Sequence, residues 1–133
     1  LDPEFVKTLL SDIESDRIER TTSTTNTDKF DKAICAFAND LPNHNLPGYL
    51  IIGADDKTGK VIDTVRITDQ LLQNLAAIKT DGNLQPQVSL TVEKVSLPEG
   101  NVAVVTVQPC KFTPVRYEGR IWVRNGPRKC IAS

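Results

Sequence analysis

The stretch of sequence that decides the fold is Phe30–Ala54, which reads FDKAICAFANDLPNHNLPGYLIIGA. Its first part has apolar residues at positions i, i+3, i+4, i+7, i+8 and i+11 counted from Phe30, the spacing of one face of an α-helix. Asp28 or Thr27 can cap this helix, and the first proline after it predicts where it ends. The last part, Gly48–Ala54, is a continuous apolar run between turn residues, which is typical of a central strand buried on both faces.

Further elements are predicted on both sides of this stretch. They are a helix over Val6–Ile18, strands over Ile18–Thr25 and Val61–Val65, a helix capped by Thr68, and strands over 88–95, 102–107, 115–117 and 120–124. Glu118-Gly119 is expected to turn the last two strands into a hairpin, and Asn125-Gly126-Pro127 to stop the sheet. This order of elements predicts an α+β fold, a mixed β-sheet with two main helices packed on it.

Length and composition are those of one globular domain of 133 residues. We expect Leu1–Phe5 to be an expression-tag remnant and residues 6–133 to be a single domain. Because the sequence contains no Met, we also expect this domain to be a fragment of a longer protein. No apolar run approaches the ~20 residues of a membrane span. The net charge of −1 is the sum of an acidic part, −4 over residues 1–67, and a basic part, +3 over residues 68–133.

The cysteines and the histidine predict no metal centre or nucleophile. Cys35, Cys110 and Cys130 are widely spaced, and zinc sites need paired ligands at close spacing. We interpret Cys35 as a core residue and His44 as a loop residue, although a Cys–His nucleophilic pair remains an alternative. Free thiols predict a reducing, cytoplasmic location. Because no glycine-rich phosphate loop is present, we expect no nucleotide site in this chain.

An acidic group could carry chemistry. Glu14 and Glu19 flank a predicted helix-to-strand junction, and Asp55 and Asp56 directly follow the predicted central strand. Three converging carboxylates suit Mg²⁺ or Mn²⁺, which take oxygen ligands. The alternative is that Asp55-Asp56 belongs to an ordinary turn.

A basic group dominates the end of the chain. It consists of Lys111, Arg116, Arg120, Arg124, Arg128 and Lys129, with Trp122 interleaved. In the predicted hairpin, Arg120 and Arg124 point to one face with Trp122 between them, while Tyr117 lies opposite Arg120. Arginines with an interleaved aromatic can contact phosphates and stack on bases. The alternative is a solvated sheet face with Trp122 under arginine stems.

Three segments resemble the Schlafen AlbA-like family. The central one joins Ile34–Asp40 to Gly48–Ile62, the upstream one is Glu14–Glu19, and the downstream one is Pro114–Gly126. The resemblance implies a DNA-binding module at the N-terminus of bacterial transcriptional regulators and RecG-related ATP-binding proteins. It also implies, from the endoribonucleases among the vertebrate Schlafens, a metal-binding set on Glu14, Glu19 and Asp56, with Asp55 as the alternative to Asp56.

Three functions follow from these patterns. The first is nucleic-acid binding, to DNA rather than RNA, through the basic group. The second is a Mg²⁺- or Mn²⁺-dependent nuclease in which Glu14, Glu19 and Asp56 are catalytic. The third is a module that dimerises or docks on a C-terminal ATPase-like domain. A homodimer is expected by analogy with the tandem copies of Schlafens.

Overall fold

The computed structural model describes residues 1–13 and 15–132. Its helices are α1 (Pro3–Ser11), α2 (Thr27–Asn39) and α3 (Asp69–Ala77). Its strands are β1 (Ile18–Thr21), β2 (Gly48–Ile52), β3 (Leu84–Gln85), β4 (Leu90–Leu97), β5 (Gly100–Val107), β6 (Arg116–Tyr117), β7 (Trp122–Asn125) and β8 (Arg128–Ile131). The α+β class predicted from the sequence is confirmed.

The main sheet has the strand order β1-β2-β5-β4. β1 runs parallel to β2, whereas β2, β5 and β4 pair antiparallel. β2 is therefore internal, and its side chains alternate between two cores. Leu50 and Ile52 lie in the cluster with α2 and α3, while Tyr49 and Ile51 lie in the cluster with α1. Burial on both faces explains why this segment is apolar throughout.

The helices begin and end for local reasons. Asn26, not the predicted Thr27 or Asp28, caps α2, and its side chain accepts from the Lys29 N–H. Asp40 ends α2 in the left-handed conformation, before Pro42 as predicted. The Thr68 hydroxyl accepts from the Leu71 N–H and caps α3, also as predicted.

The first helix differs from the prediction. It runs over Pro3–Ser11 and not Val6–Ile18, because Asp2 caps its first turn and Asp12 caps its last. Its buried face, which consists of Val6, Leu9 and Leu10, lies in the core. Phe5 packs edge-on against Tyr49, with ring centroids 5.7 Å apart. Residues 3–5 thus form the first turn of α1, and their origin in an expression tag stays a prediction.

One predicted strand, the pairing of one predicted hairpin and one predicted end of the sheet need correction. Val61–Val65 forms only a single bridge, between Val61 and Ala54. The turn at Glu118-Gly119 closes one bridge, Tyr117 to Arg120, as predicted, but β6 then pairs with β3. Asn125-Gly126-Pro127 does not stop the sheet, since Gly126-Pro127 turns β7 into β8. A hairpin turn and a chain stop use the same residue types, so composition alone does not separate them.

Candidate functional site

A polar cavity of about 200 Å³ opens beside the free edge of β1. It is lined by Ile13, Ile18, Glu19, Arg20, Lys29, Asp56, Arg124, Pro127 and Lys129. β1 supplies its floor, the β7–β8 hairpin one wall, and the first turn of α2 and the loop after β2 the others. Four cations against two carboxylates give the lining an excess of positive charge, which favours an anion.

Glu19 anchors the hairpin to β1. Its Oε1 accepts from Arg124 Nη1 at 2.8 Å and its Oε2 from Lys129 Nζ at 2.7 Å. Glu19 is 9% exposed and Arg124 is 3% exposed. Charge-assisted bonds of this length in a buried setting are strong when intact and costly when one partner is lost.

Arg124 closes the free edge of β1. Its Nε donates to the Asp16 carbonyl, and its Nη2 donates to the Ser15 and Ile18 carbonyls at 3.1 and 2.9 Å. Its guanidinium also lies 5.3 Å from the Phe37 ring centroid. Burial lowers the pKa of Arg124, and Glu19 acts in the opposite direction. An edge strand presents unpaired carbonyls, and this arginine satisfies one of them, that of Ile18, together with two carbonyls of the segment that leads into β1.

Arg20 holds the opposite side of the cavity. It is buried, and its Nη1 donates to the Asp12 carbonyl at 3.1 Å. Within the described residues its Nε has no hydrogen-bond partner. Burial lowers the pKa of Arg20, while the charges of Asp12, Asp56 and Asp55 act to raise it. A buried guanidinium with an unused donor next to a cavity can donate to a ligand anion.

The two aspartates after β2 have different surroundings. Asp55 Oδ1 accepts from the Lys57 and Thr58 N–H groups and from the Thr58 hydroxyl. The bond from the Thr58 N–H is the largest cause that lowers the pKa of Asp55. Asp56 is exposed and lines the cavity. The turn therefore uses Asp55 for its own backbone and leaves Asp56 to the site.

The predicted metal ligands are brought together in part. Glu19 and Asp56 line the same cavity, as the sequence predicts, while Glu14 lies outside the described residues. Within residues 1–13 and 15–132, no cluster of three or more His, Cys, Asp or Glu side chains could hold a metal ion. Both oxygens of Glu19 already accept from cations, so the described donors do not fit a divalent ion unless Lys129 moves away.

The predicted basic residues do not form one face. Arg124 is buried and bound internally, so it does not share an exposed face with Arg120 as the sequence suggested. Lys129 lines the cavity, and Arg128 is exposed at the start of β8 beside the hairpin turn. Arg116 lines a separate cavity with Glu118. Lys111 is exposed in the segment between β5 and β6, and Arg120 is exposed at its bridge to Tyr117.

Sequence reasoning missed three cations, Arg20, Lys29 and Lys32. Lys32 Nζ lies 4.6 Å from the Trp122 ring centroid and 2.8 Å from Asp28. Trp122 is thus half-buried under a lysine side chain. This resembles the alternative prediction, in which Trp122 lies under arginine stems. The available signal for Lys29 was its position in the first turn of the most clearly periodic helix.

The cysteine and histidine predictions agree with the structure. Cys35 is buried, its thiol donates to the Val115 carbonyl at 3.2 Å, and burial raises its pKa. His44 is exposed in the loop before β2, and its Nε2 lies 3.0 Å from Asp16. Because each group has a different partner, the two are not arranged as a nucleophile and its base.

Residues 14–133 match the family described as Schlafen, AlbA_2, and the chain therefore belongs to that family. The resemblance stated from the sequence is confirmed. No curated protein gives a significant sequence match.

Two solved structures are similar. One is the N-terminal domain of a RecG-related protein from Nitrosomonas europaea, with a TM-score of 0.65 and 21% identity over 98% of this chain and 88% of that one. The other is the DIP2311 protein from Corynebacterium diphtheriae, with a TM-score of 0.59 and 18% identity over 96% of this chain. The chain spans 29% of the DIP2311 structure. At these identities the similarity defines the fold. Within the described residues, no helix is long and apolar enough to cross a membrane.

Proposed function

We propose that this chain is a nucleic-acid-binding domain that holds a phosphate backbone at the cavity between β1 and the β7–β8 hairpin. The observation that carries the proposal is the excess of cations in the lining, with Arg20, Lys29, Arg124 and Lys129 against Glu19 and Asp56. Phosphate contacts supply most of the sequence-independent affinity of such proteins.

The cations divide into two roles. Arg124 is occupied by Glu19 and three backbone carbonyls, so its role is to fix the hairpin. Lys129 is held at the wall by Glu19, with its side chain 17% exposed. Lys29 lines the cavity, and the exposed Arg128 lies in the chain between two lining residues, Pro127 and Lys129. These two are the cations we expect to contact phosphate.

DNA is the proposed partner rather than RNA. Support comes from family membership and from the RecG-related relative, which is provisionally described as an ATP-dependent DNA helicase. A transcriptional regulator containing this domain, a cytoplasmic location and a homodimer remain predictions that accompany this proposal.

The salt dependence of binding tests the proposal. A protein that neutralises Z phosphates on duplex DNA has a log–log slope of about −0.9Z, so removing two contacts should flatten the slope by about 1.8. We expect this for Lys29→Gln with Arg128→Gln, measured by fluorescence anisotropy on a 20-base-pair duplex. The matched control is Lys79→Gln with Lys94→Gln, two exposed lysines outside the cavity.

Three outcomes would contradict parts of the proposal. A slope near zero for the unmodified chain would remove nucleic-acid binding. An equal effect of both double variants would remove the cavity as the site. Tighter binding of an RNA duplex of the same sequence would remove the preference for DNA.

A second candidate is the metal-dependent nuclease that uses Glu14, Glu19 and Asp56. It is favoured by one observation, that Glu19 and Asp56 line the same cavity. It requires Lys129 to leave Glu19 Oε2, because an ammonium group and a divalent ion would compete for the same carboxylate.

Manganese binding tests the second candidate directly. Lys129→Met should increase Mn²⁺ affinity, measured as paramagnetic broadening of amide signals in β1, and Glu19→Gln should abolish it. The candidate is wrong if Mn²⁺ broadens no β1 signal in the unmodified chain or in Lys129→Met. It is also wrong if tRNA and single-stranded DNA are not cut, or if Glu19→Gln does not prevent the cutting.

A further inference from the structure

A second cavity, of about 220 Å³, lies between the loop after β1 and helix α3. Its floor is apolar and consists of Phe30, Leu71, Leu75 and Ile78, all nearly inaccessible to solvent. Its rim is polar and consists of Thr24, Thr25, Thr27 and Asn74. None of these residues belongs to the charged cavity beside β1.

The lining defines the chemistry of a ligand. The floor offers no hydrogen bonds and favours a flat apolar face, while threonine hydroxyls and the Asn74 amide can both donate and accept at the edge. Asn74 Oδ1 already accepts from Gln70 Nε2 at 2.8 Å, which leaves its amide nitrogen as the donor. No charged side chain lines the cavity, so the ligand group that enters it is uncharged.

The size agrees with a single heteroaromatic ring system. An apolar cavity of roughly 150 Å³ is sufficient to bind benzene, so 220 Å³ admits a pyrimidine or a purine. A nucleobase has apolar faces and a polar edge, and it is uncharged at neutral pH. We propose that this cavity receives one unpaired nucleobase of a single-stranded nucleic acid.

This proposal rests on the proposed function and adds the class of nucleic acid to it. The first turn of α2 carries Lys29 into the charged cavity and Thr27 and Phe30 into the apolar one. A helix with its side chains is about 10–12 Å across, a separation that a few successive nucleotides of an extended strand can span. The one carboxylate of this turn, Asp28, is already bound by Lys32 and by the Tyr117 hydroxyl.

The experiment compares three probes and two variants. The probes are a 12-nucleotide oligo(dT), the same backbone with abasic sites, and a 12-base-pair duplex. Asn74→Phe should fill the cavity from its rim, where the residue is exposed and substitution spares the core. Gln73→Phe is the matched control, since Gln73 is exposed on the same helix and does not line the cavity.

We expect the unmodified chain and Gln73→Phe to bind oligo(dT) at least tenfold more tightly than the abasic strand. Asn74→Phe should reduce that ratio to less than threefold and leave duplex binding unchanged. Equal affinity for oligo(dT) and the abasic strand, or an unchanged ratio in Asn74→Phe, would overturn the proposal.

A second measurement separates this proposal from the proposed function. Thymidine, which has no phosphate, should shift the methyl resonances of Leu71, Leu75 and Ile78 in the unmodified chain and not in Asn74→Phe. Such shifts in a chain whose oligo(dT) binding does not change with salt would support the base cavity and contradict backbone binding. Salt-dependent oligonucleotide binding without these shifts would support backbone binding and overturn the base cavity.

Discussion

The Arg124 guanidinium has four acceptors, three of them backbone carbonyls of the segment that enters β1 and one of them Glu19. At the scale of single residues, this side chain joins the C-terminal hairpin to the N-terminal part of the sheet. Arg124 belongs to the basic part of the sequence, residues 68–133, and Glu19 belongs to the acidic part, residues 1–67. The ion pair therefore links the two parts whose opposite charges cancel in the composition.

Arg124→Met is predicted to destabilise the domain by about 3–5 kcal/mol, because it leaves Glu19 buried with Lys129 alone. Urea denaturation followed by circular dichroism measures the change. Arg128→Met is the matched control in the same hairpin, and as an exposed site it should change stability by about 0.5 kcal/mol or less. A loss below about 1 kcal/mol for Arg124→Met would contradict this description of Arg124.

Asp31 makes stability depend on pH. Burial, followed by the charges of Asp81, Asp28 and Glu118, raises the pKa of Asp31 from 3.8 to about 7. Within the described residues its Oδ1 has no hydrogen-bond partner. The folded state therefore binds a proton that the unfolded state has released, and its contribution to stability is lost as the pH rises from about 4 to about 7.

Asp31→Asn is predicted to remove this dependence and to be more stable than the unmodified chain at pH 8. The measurement is the free energy of unfolding at intervals between pH 4 and pH 8. Glu99→Gln, in the exposed turn between β4 and β5, serves as the control and should follow the unmodified chain. If the free energy of unfolding depends on pH in the same way in Asp31→Asn and in the unmodified chain, ionisation of Asp31 does not destabilise the folded state and the prediction is wrong.

At the scale of elements, α2 packs directly on the start of β2. A Cβ atom on Gly48 would overlap the ring of Phe37, so the helix approaches the strand where glycine leaves room. Gly48→Ala should therefore cost about 1–3 kcal/mol, as overpacking of a filled core does. Denaturation of the variant measures the loss.

A double variant distinguishes overlap from other effects at Gly48. Phe37→Ala removes the whole ring including Cγ, the atom nearest to the added Cβ, so Gly48→Ala made in the Phe37→Ala background should cost less than it does alone. Additive costs in the two variants would mean that Phe37 is not the group that excludes a side chain at Gly48.

The elements that the sequence predicts well are those with a repeating pattern. The spacing from Phe30 defines α2, and the apolar run from Gly48 defines β2. The β7–β8 hairpin has no such pattern, because its residues are polar and its pairing depends on contact with β1, more than 100 positions earlier. The sequence therefore predicts an end of the sheet at Asn125-Gly126-Pro127, where the structure has the turn between β7 and β8.

The sequence predicts the acidic residues of the candidate site better than the cations that pair with them. Glu19 and Asp56 line one cavity, and the sequence predicts this only in outline, from neighbouring strands β1 and β2. Glu19 lies inside β1, whereas Asp56 follows the end of β2 by four residues. The pairing of Glu19 with Arg124 and Lys129 could not be predicted, because it depends on the path of the hairpin. Lys29 was missed because a lysine in the first turn of a helix is usually solvated.

At the scale of the whole molecule, the charge of the chain is arranged around one edge of the sheet. Glu19 of β1 meets the basic β7–β8 hairpin there, and Lys29 from α2 also lines the cavity. The opposite edge is β4, the outermost strand on the other side, and none of its residues lines this cavity. We therefore expect nucleic acid at the β1 edge and not at the β4 edge.

Mapping of amide chemical shifts with a 12-nucleotide oligo(dT) tests this central claim most directly. We predict that the perturbed signals belong to β1, the first two turns of α2, the turn and strands of the β7–β8 hairpin, and α3 where it lines the apolar cavity. We also predict that these shifts diminish as salt is added, since the contacts are with phosphates. Shifts confined to β4, β5 or the loop over residues 108–114, or shifts insensitive to salt, would contradict the claim.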